Sequence, residues 1–409
     1  MTDLTVETRR IDPVPSLIPF ADPAHPLLFL RRGDGIAGIG EALRLEFHGP
    51  TRLADAAAAW RDVAASARVD DEVRIGGSGL VACGAFTFDD DSTRASVLIV
   101  PRVVIGRRDG VGWVTRVNGA DDAVVASPLG AEYRLPLHPG ALPPDAYREA
   151  VRTAVGRILS GSLEKAPALE KVVLARDLVG HVPEGADLRR VLLELALGYP
   201  DTWTFAVDGH LGSSPETLVR VRDGDVTARV LAGSHARGAD AEADAAAALE
   251  LATSSKDLDE HRFAVESVLR ALRPHGPGIT STELPFTLKL PNLWHLASDV
   301  HGRLSDGSGA LDLVAALHPT AAVAGTPTRT ALEVIRELEP FDRGRYSGPV
   351  GWVDQAGDGK WAISLRSAEV DADGTLTAYA GAGVVAESDP DRELAETKLK
   401  FRPIVEAFG

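Results

Sequence analysis

Two acidic pairs in this chain have the spacing that a hard cation asks for. Glu393 and Glu396 stand three residues apart with Lys400 four further on, so on a helix all three share one face. Asp257 and Glu260 repeat the three-residue step far upstream. If both segments are helical and face each other, their carboxylates make an oxygen-rich site suited to Mg²⁺. Acidic residues also belong in the first turn of any helix, so neither pair demands a metal by itself. Other residues could join such a site. Lys171 opens the apolar run KVVLARD, Glu216 follows a Ser-Ser-Pro turn, and Arg366 lies in the strand-like hairpin arm Trp361 to Ser367. Taken alone, Glu216 reads as solvent-facing and Arg366 as a surface residue. Ala232 to Gly238 (AGSHARG) reads as a small-residue loop able to offer backbone N–H groups to an anion.

The elements that must position these groups follow from composition and punctuation. Thr375 to Ala380 is β-branched and aromatic enough for a strand, and Gly381-Ala-Gly383 is expected to break it where a ligand could come close to the backbone. Ser388-Asp389-Pro390 then reads as a helix start, a capping side chain before proline at the first helical position. GAGVVA also imitates a dinucleotide fingerprint, but only a helix's worth of chain follows and no second strand of a βαβ unit can form. Upstream, Asp145 to Ser160, Leu188 to Leu197 and Ser254 to Leu272 read as helices. In the first 140 residues Leu80 to Phe88, Ala95 to Ile105 and Val111 to Val117 read as strands without helices between them, which predicts an antiparallel sheet. Proline-rich Leu135 to Pro144 reads as a connection, apolar enough to lie on a core.

With 409 residues, 44% of them hydrophobic, the chain can bury a large core or two modest ones. A formal net charge of −16 argues against nucleic acid or an anionic membrane as partner, and an anionic substrate would need local cations. The opening MTDLTVETRR lacks an apolar stretch and no run reaches membrane-spanning length, so a cytoplasmic protein is expected. No exposed apolar seam predicts an oligomer, and a monomer is the default. The single cysteine, Cys83, lies in an apolar strand and reads as a buried, inert thiol.

KVVLARD, SSPETL, LAGSHARG, SSKDLDEH, LWHLASDVHGRL, LHPTAAVAGTP, LEPFDRGRYSGPVGWVD, ISLRSA and AGAGVVAESDPDRELAET stand in order between about residue 145 and the end. Together they resemble the chorismate-utilising enzymes, most closely the isochorismate synthases. The resemblance implies an α+β fold (α/β in its mixed content): packed antiparallel sheets surrounded by helices, with the active site between the sheets. Residues 1–140 would be a variable part of that fold and 145–409 the catalytic region of one domain.

The resemblance also implies roles. Lys171 would be the base that activates water and Glu216 the acid at the departing 4-hydroxyl of chorismate. Glu260 and Glu396 would hold Mg²⁺, with Asp257 and Glu393 as outer partners. Gly233, Ser234, His295, Ala322, Arg366, Gly383 and Lys400 would line the pocket, Arg366 and Lys400 facing carboxylates. The chemistry is coherent: hydroxide leaves only with a proton, which needs a carboxyl of raised pKa, and a lysine accepts a proton only where its ammonium is disfavoured. Lys171 separates the chain from the ammonia-using anthranilate and aminodeoxychorismate synthases, as does the absence of any trace of a glutaminase. Salicylate synthase, which goes on to eliminate pyruvate, is the nearer rival. That group carries threonine where Ala322 stands, while Tyr346 and Leu365 are residues it often shows. A non-catalytic anion-binding relative is the third reading. Isochorismate feeds both menaquinone and siderophore biosynthesis, and no segment chooses between them.

Overall fold

Apolar β-rich runs separated by turn residues assemble, among the described residues, into two large sheets of thirteen and ten strands. The computed structural model describes residues 3–161, 168–290 and 293–409. Lys171–His181, Thr375–Val384, Ser367–Val370, His210–Ser214 and Trp203–Val207 are consecutive neighbours in the first sheet. Leu293–Arg303, Asp225–Ala236, Thr217–Arg222, Gly359–Ile363 and Pro349–Asp354 are neighbours in the second. The strands of the first third extend both sheets: Leu27–Arg31 pairs with Trp203–Val207, and Val81–Ala85 with Pro349–Asp354. Their pairing is antiparallel as expected except where Thr5–Ile11 meets Arg68–Asp71 in parallel.

Strand pairs repeatedly leave one sheet for the other. The run Ala95 to Ile105 is not one strand but two, Ser96–Val100 in the second sheet and Val103–Arg108 in the first. Pro101 stands at the break, where a residue without an N–H cannot continue a ladder. The chain crosses again at Pro215-Glu216, between His210–Ser214 and Thr217–Arg222, and once more between Gly359–Ile363 and Ser367–Val370. These last two crossings lie side by side. Ser213 N donates to the Arg366 carbonyl at 3.0 Å, and Ile363 N to the Glu216 carbonyl at 3.1 Å.

Part of the space between the sheets is filled by an apolar cluster drawn from both, with Phe29 and Phe205 from the first and Cys83 and Trp352 from the second. Burial pushes the Cys83 thiol up to about 12, so it is inert as the sequence suggests. Helices cover the outer faces: Val172 and Leu174 share a cluster with Val151 and Ala154 of Pro144–Ser160. The Leu135 to Pro144 segment lies on this core, with Leu135 and Leu142 buried and His138–Pro139 paired to the Lys171–His181 strand.

One buried ion pair holds the free edge of that strand. Glu339 accepts from Ala175 N at 2.7 Å, Arg343 donates to the Val173 carbonyl at 2.7 Å, and the two meet each other at 2.6 Å. Backbone groups that no neighbouring strand reaches are thereby satisfied. Glu339→Ala leaves Arg343 buried and unpaired, and is expected to cost about 3–5 kcal/mol in urea unfolding. A loss below about 1 kcal/mol would show that the pair does not hold the strand.

Candidate active site

The Lys171–His181 strand is buried on both faces, and its alternation sends Lys171 and Val173 inward while Val172 and Leu174 pack outward. Opposite it, Thr375–Val384 runs unbroken through the glycines that were expected to end it, with Gly383 paired to Val173 and Gly381 to Ala175. The glycines give clearance instead of a break. A Cβ on Gly383 would stand 2.9 Å from Lys171 Cε, so the bare position lets the lysine lie across the ladder.

Ala232 to Ala236 likewise belongs to a strand, Asp225–Ala236, and not to a loop. The ladder shifts register between Ala232 and Ser234, leaving Gly233 as a bulge at φ +79°. A Cβ there would come within 3.2 Å of Asp257 Cβ, so the bulge is also where the helix Ser255–Leu272 approaches. Ser254 caps that helix by accepting from Asp257 N at 3.2 Å. His261 ties it down, with Nδ1 3.2 Å from the Ala232 carbonyl and Nε2 2.8 Å from Ser298 Oγ. The C-terminal helix Pro390–Phe408 starts where the sequence indicates, Asp389 accepting from Asp391 N and Arg392 N.

These elements close on one cavity of about 990 Å³, mouth included. Lys171, Glu216, Gly233, Ser234, Asp257, Glu260, His295, Ala322, Arg366, Gly383, Glu393, Glu396 and Lys400 all line it, so every residue singled out from the sequence is brought together. Arg366 is not on a hairpin arm facing solvent. It is buried in the crossing after Gly359–Ile363, with φ +50°. Glu216, on the neighbouring crossing, is buried too. Tyr379, Ser347 and Leu231 also face the cavity and were not anticipated. For Tyr379 the signal was present: it alternates with Gly381 and Gly383 on one face of the strand.

The polar groups interlock. Lys171 Nζ donates to Glu260 Oε1 at 2.6 Å; Lys400 Nζ meets Glu396 Oε1 at 2.6 Å and donates to the Gly381 carbonyl at 2.8 Å. His295 Nδ1 lies 2.9 Å from Ser234 Oγ, and Arg366 Nη2, which can only donate, approaches Nε2 at 3.5 Å. Burial, then Arg366 and Lys400, push His295 down to about 3, so the ring is neutral. Burial pushes the Glu216 carboxyl up to about 8 although Lys171, Lys400 and Arg366 pull it down, so it carries a proton at pH 7.

The donor set fits a hard divalent ion in kind, since four carboxylates beside Glu216 face one space. Among the described residues, however, no three acidic or imidazole groups are gathered in ligand geometry, and Glu260 and Glu396 are turned onto lysines. Besides Glu216, four acidic side chains face three basic ones in the cavity, Lys171, Arg366 and Lys400. A dianionic ligand would deepen that imbalance unless a cation entered with it.

Fold and cavity define an α+β enzyme whose polar chamber lies between two packed sheets. The family model described as chorismate binding enzyme matches residues 131–409. "Isochorismate synthase DhbC" of Bacillus subtilis is 43% identical over 65% of this chain and 68% of its own length. "Putative isochorismate synthase MenF" of Mycobacterium tuberculosis is 38% identical over 81% of this chain and 87% of its own. The crystal structure of the putative 2,3-dihydroxybenzoate-specific isochorismate synthase DhbC from Bacillus anthracis superimposes with a TM-score of 0.79 at 33% identity, covering 96% of this chain and 98% of that one. The chain belongs to the chorismate binding enzyme family.

The raised carboxyl of Glu216 makes stability pH-dependent. Between the ordinary carboxyl pKa and about 8 the folded state keeps a proton that the unfolded state has lost, so this contribution is full at acid pH and declines as pH rises through that window. Glu216→Gln should remove the decline, leaving the variant more stable than wild type at pH 8 and equal to it near pH 4. Parallel urea unfolding curves at the two pH values would contradict the buried, protonated state.

Proposed function

We propose that this chain is an isochorismate synthase, converting chorismate to isochorismate by addition of water at C2 with loss of the C4 hydroxyl. The observation that carries the reading is a carboxyl kept protonated to about 8, Glu216, in the same cavity as the amine of Lys171. Arg366 and Lys400 supply the cations that orient two substrate carboxylates, in a chain otherwise repulsive to them. His295, neutral and fixed by Ser234, adds a hydrogen bond without adding charge.

In the proposed reaction Glu216 delivers its proton to the departing 4-hydroxyl, without which hydroxide does not leave. Lys171 takes the proton of the attacking water. It is engaged with Glu260 here, so it serves as base only once that carboxylate is drawn elsewhere. Glu260 and Glu396, with Asp257 and Glu393 beside them, would hold Mg²⁺, whose chemistry is to polarise the ring carboxylate of the substrate. Isochorismate made this way would enter menaquinone or siderophore synthesis. We place the enzyme in the cytoplasm as a monomer; among the described residues no helix is long and apolar enough to cross a membrane.

Ala322 presents only a methyl group to the cavity, which favours release of isochorismate over elimination of its pyruvyl ether. Tyr346 and Leu365 line the same space and keep the lyase reading open to test. Chorismate and Mg²⁺ incubated with the protein should give isochorismate on chromatography. Salicylate and pyruvate as main products would replace the synthase reading with the lyase one.

Lys171→Ala should lower turnover by at least about 100-fold, the scale of a lost general base, while Mg²⁺-dependent binding of chorismate in calorimetry stays close to wild type. Near-normal turnover would end the base assignment.

A further inference from the structure

A second concentration of charge lies on the inner face of the second sheet, one step from the active cavity. Arg220 and Lys360 sit directly opposite each other across the ladder, where like charges are destabilising. Arg31 of the first sheet and Lys360 both stand over the ring of Trp203, at 5.2 and 5.5 Å from its centroid. These groups line one recess of about 900 Å³, mouth included. Among the described residues its single lining carboxylate, Asp299, is already taken by Arg229 at 2.6 and 2.9 Å, and Arg31, Arg220 and Lys360 form no ion pair. Arg31 Nε is buried without a hydrogen-bond partner. Burial, then the nearby Arg108, Arg220 and Arg31, bring Lys360 down to about 7. Crowding two guanidinium groups and an amine that lack ion-pair partners is costly, and the depressed Lys360 is one sign of that cost; a bound anion would offset it.

We propose that the recess beside Trp203 is a second anion-binding site, built for a small ligand with two or more negative charges such as a phosphate ester, a diphosphate or a compact polycarboxylate. The guanidinium groups of Arg31 and Arg220 and the Lys360 amine line it together with Trp203. Its position connects it to the chemistry. Pro215 lines both recess and active cavity, and Trp203 Nε1 donates to Thr217 Oγ1 at 2.8 Å, beside Glu216. On the strand Asp225–Ala236, Arg229 faces the recess and Leu231, two residues on, faces the cavity. The polyanion is therefore either a separate effector or the substrate itself on its way in.

Metal-free calorimetry with inorganic pyrophosphate tests the site. Wild type should bind one equivalent, and the Arg220→Gln, Lys360→Gln double variant should bind at least tenfold more weakly. Lys400→Ala, altered in the active cavity, should bind like wild type. Equal binding by the double variant, or loss of binding in Lys400→Ala, overturns the proposal. Should the double variant fail to melt cooperatively, Arg220→Gln alone carries the comparison, with at least a threefold loss expected and none overturning it. The binding arm is independent of the proposed reaction; the kinetic arm rests on it. With sulfate at constant ionic strength, an effect on kcat alone identifies an effector site. A rise in KM alone, matched by a lower kcat/KM and intact kcat in the double variant, identifies a substrate path. No effect of sulfate on wild type beyond its effect on the double variant counts against the site.

Discussion

The cavity depends on two sheet crossings being hydrogen-bonded to each other. Because Ser213 N reaches the Arg366 carbonyl and Ile363 N the Glu216 carbonyl, the acid and the arginine are fixed by backbone bonds and not by loop packing. Further bonds brace the arginine's crossing: Ser347 N donates to the Ser364 carbonyl at 2.8 Å and Ser364 N to the Gly348 carbonyl at 2.7 Å. Arg366 occupies the left-handed region at φ +50°, a conformation that costs about 1–3 kcal/mol for residues other than glycine and persists only where surrounding bonds enforce it. Beneath it His210 contacts Ser364, and His210 Nδ1 lies 3.4 Å from Glu369. Burial raises Glu369, but His210, Arg345 and Arg94 outweigh it and hold the group down at about 2. An always-charged carboxylate under the crossing thus anchors it from below.

The same burial acts oppositely on the groups above. For Glu216 the loss of solvent outweighs the pull of Lys171, Lys400 and Arg366, and the carboxyl stays neutral. His295 feels burial and two cations in the same direction, so it too stays neutral. Positive charge in the cavity is left to lysine and arginine alone. That division matters for acid–base chemistry, because near neutral pH the Glu216 carboxyl keeps a proton to donate while the His295 ring is not an imidazolium.

Much of this was legible in the sequence, and what was not has identifiable physical causes. Helix starts at Ser254 and Asp389 were readable because capping is local. The acidic pairs were readable because i, i+3 spacing fixes a face. Glu216 and Arg366 read as surface residues, since short-range pattern does not reveal where a chain changes sheets, and a buried ionisable group between two strands looks like a turn. Gly233 and Gly383 marked the right places for the wrong reason. Both lie within strands, one as a bulge admitting a helix and one as clearance for a lysine, and only the partner across the ladder distinguishes these from a break. The Glu339–Arg343 clamp had no local signature, because its partners Val173 and Ala175 are more than 150 residues away.

The two lysine–glutamate pairs determine how such a cavity responds to a ligand. Lys171 and Lys400 each arrive on the wall with a carboxylate in hand, delivered by a different helix. A substrate carboxylate that recruits Lys400 has to displace Glu396, and recruiting Lys171 as a base has to displace Glu260. Either displacement exposes a carboxylate in a chamber already rich in them. Under the proposed function those two displaced groups are the ones that would take the divalent cation. Substrate and metal would then lower each other's cost of binding, and by linkage the coupling would be equal in both directions. Under that reading this cavity would bind a dianion tightly only together with its cation, and the lysine–glutamate pairs would gate substrate binding as well as store the site's ligands.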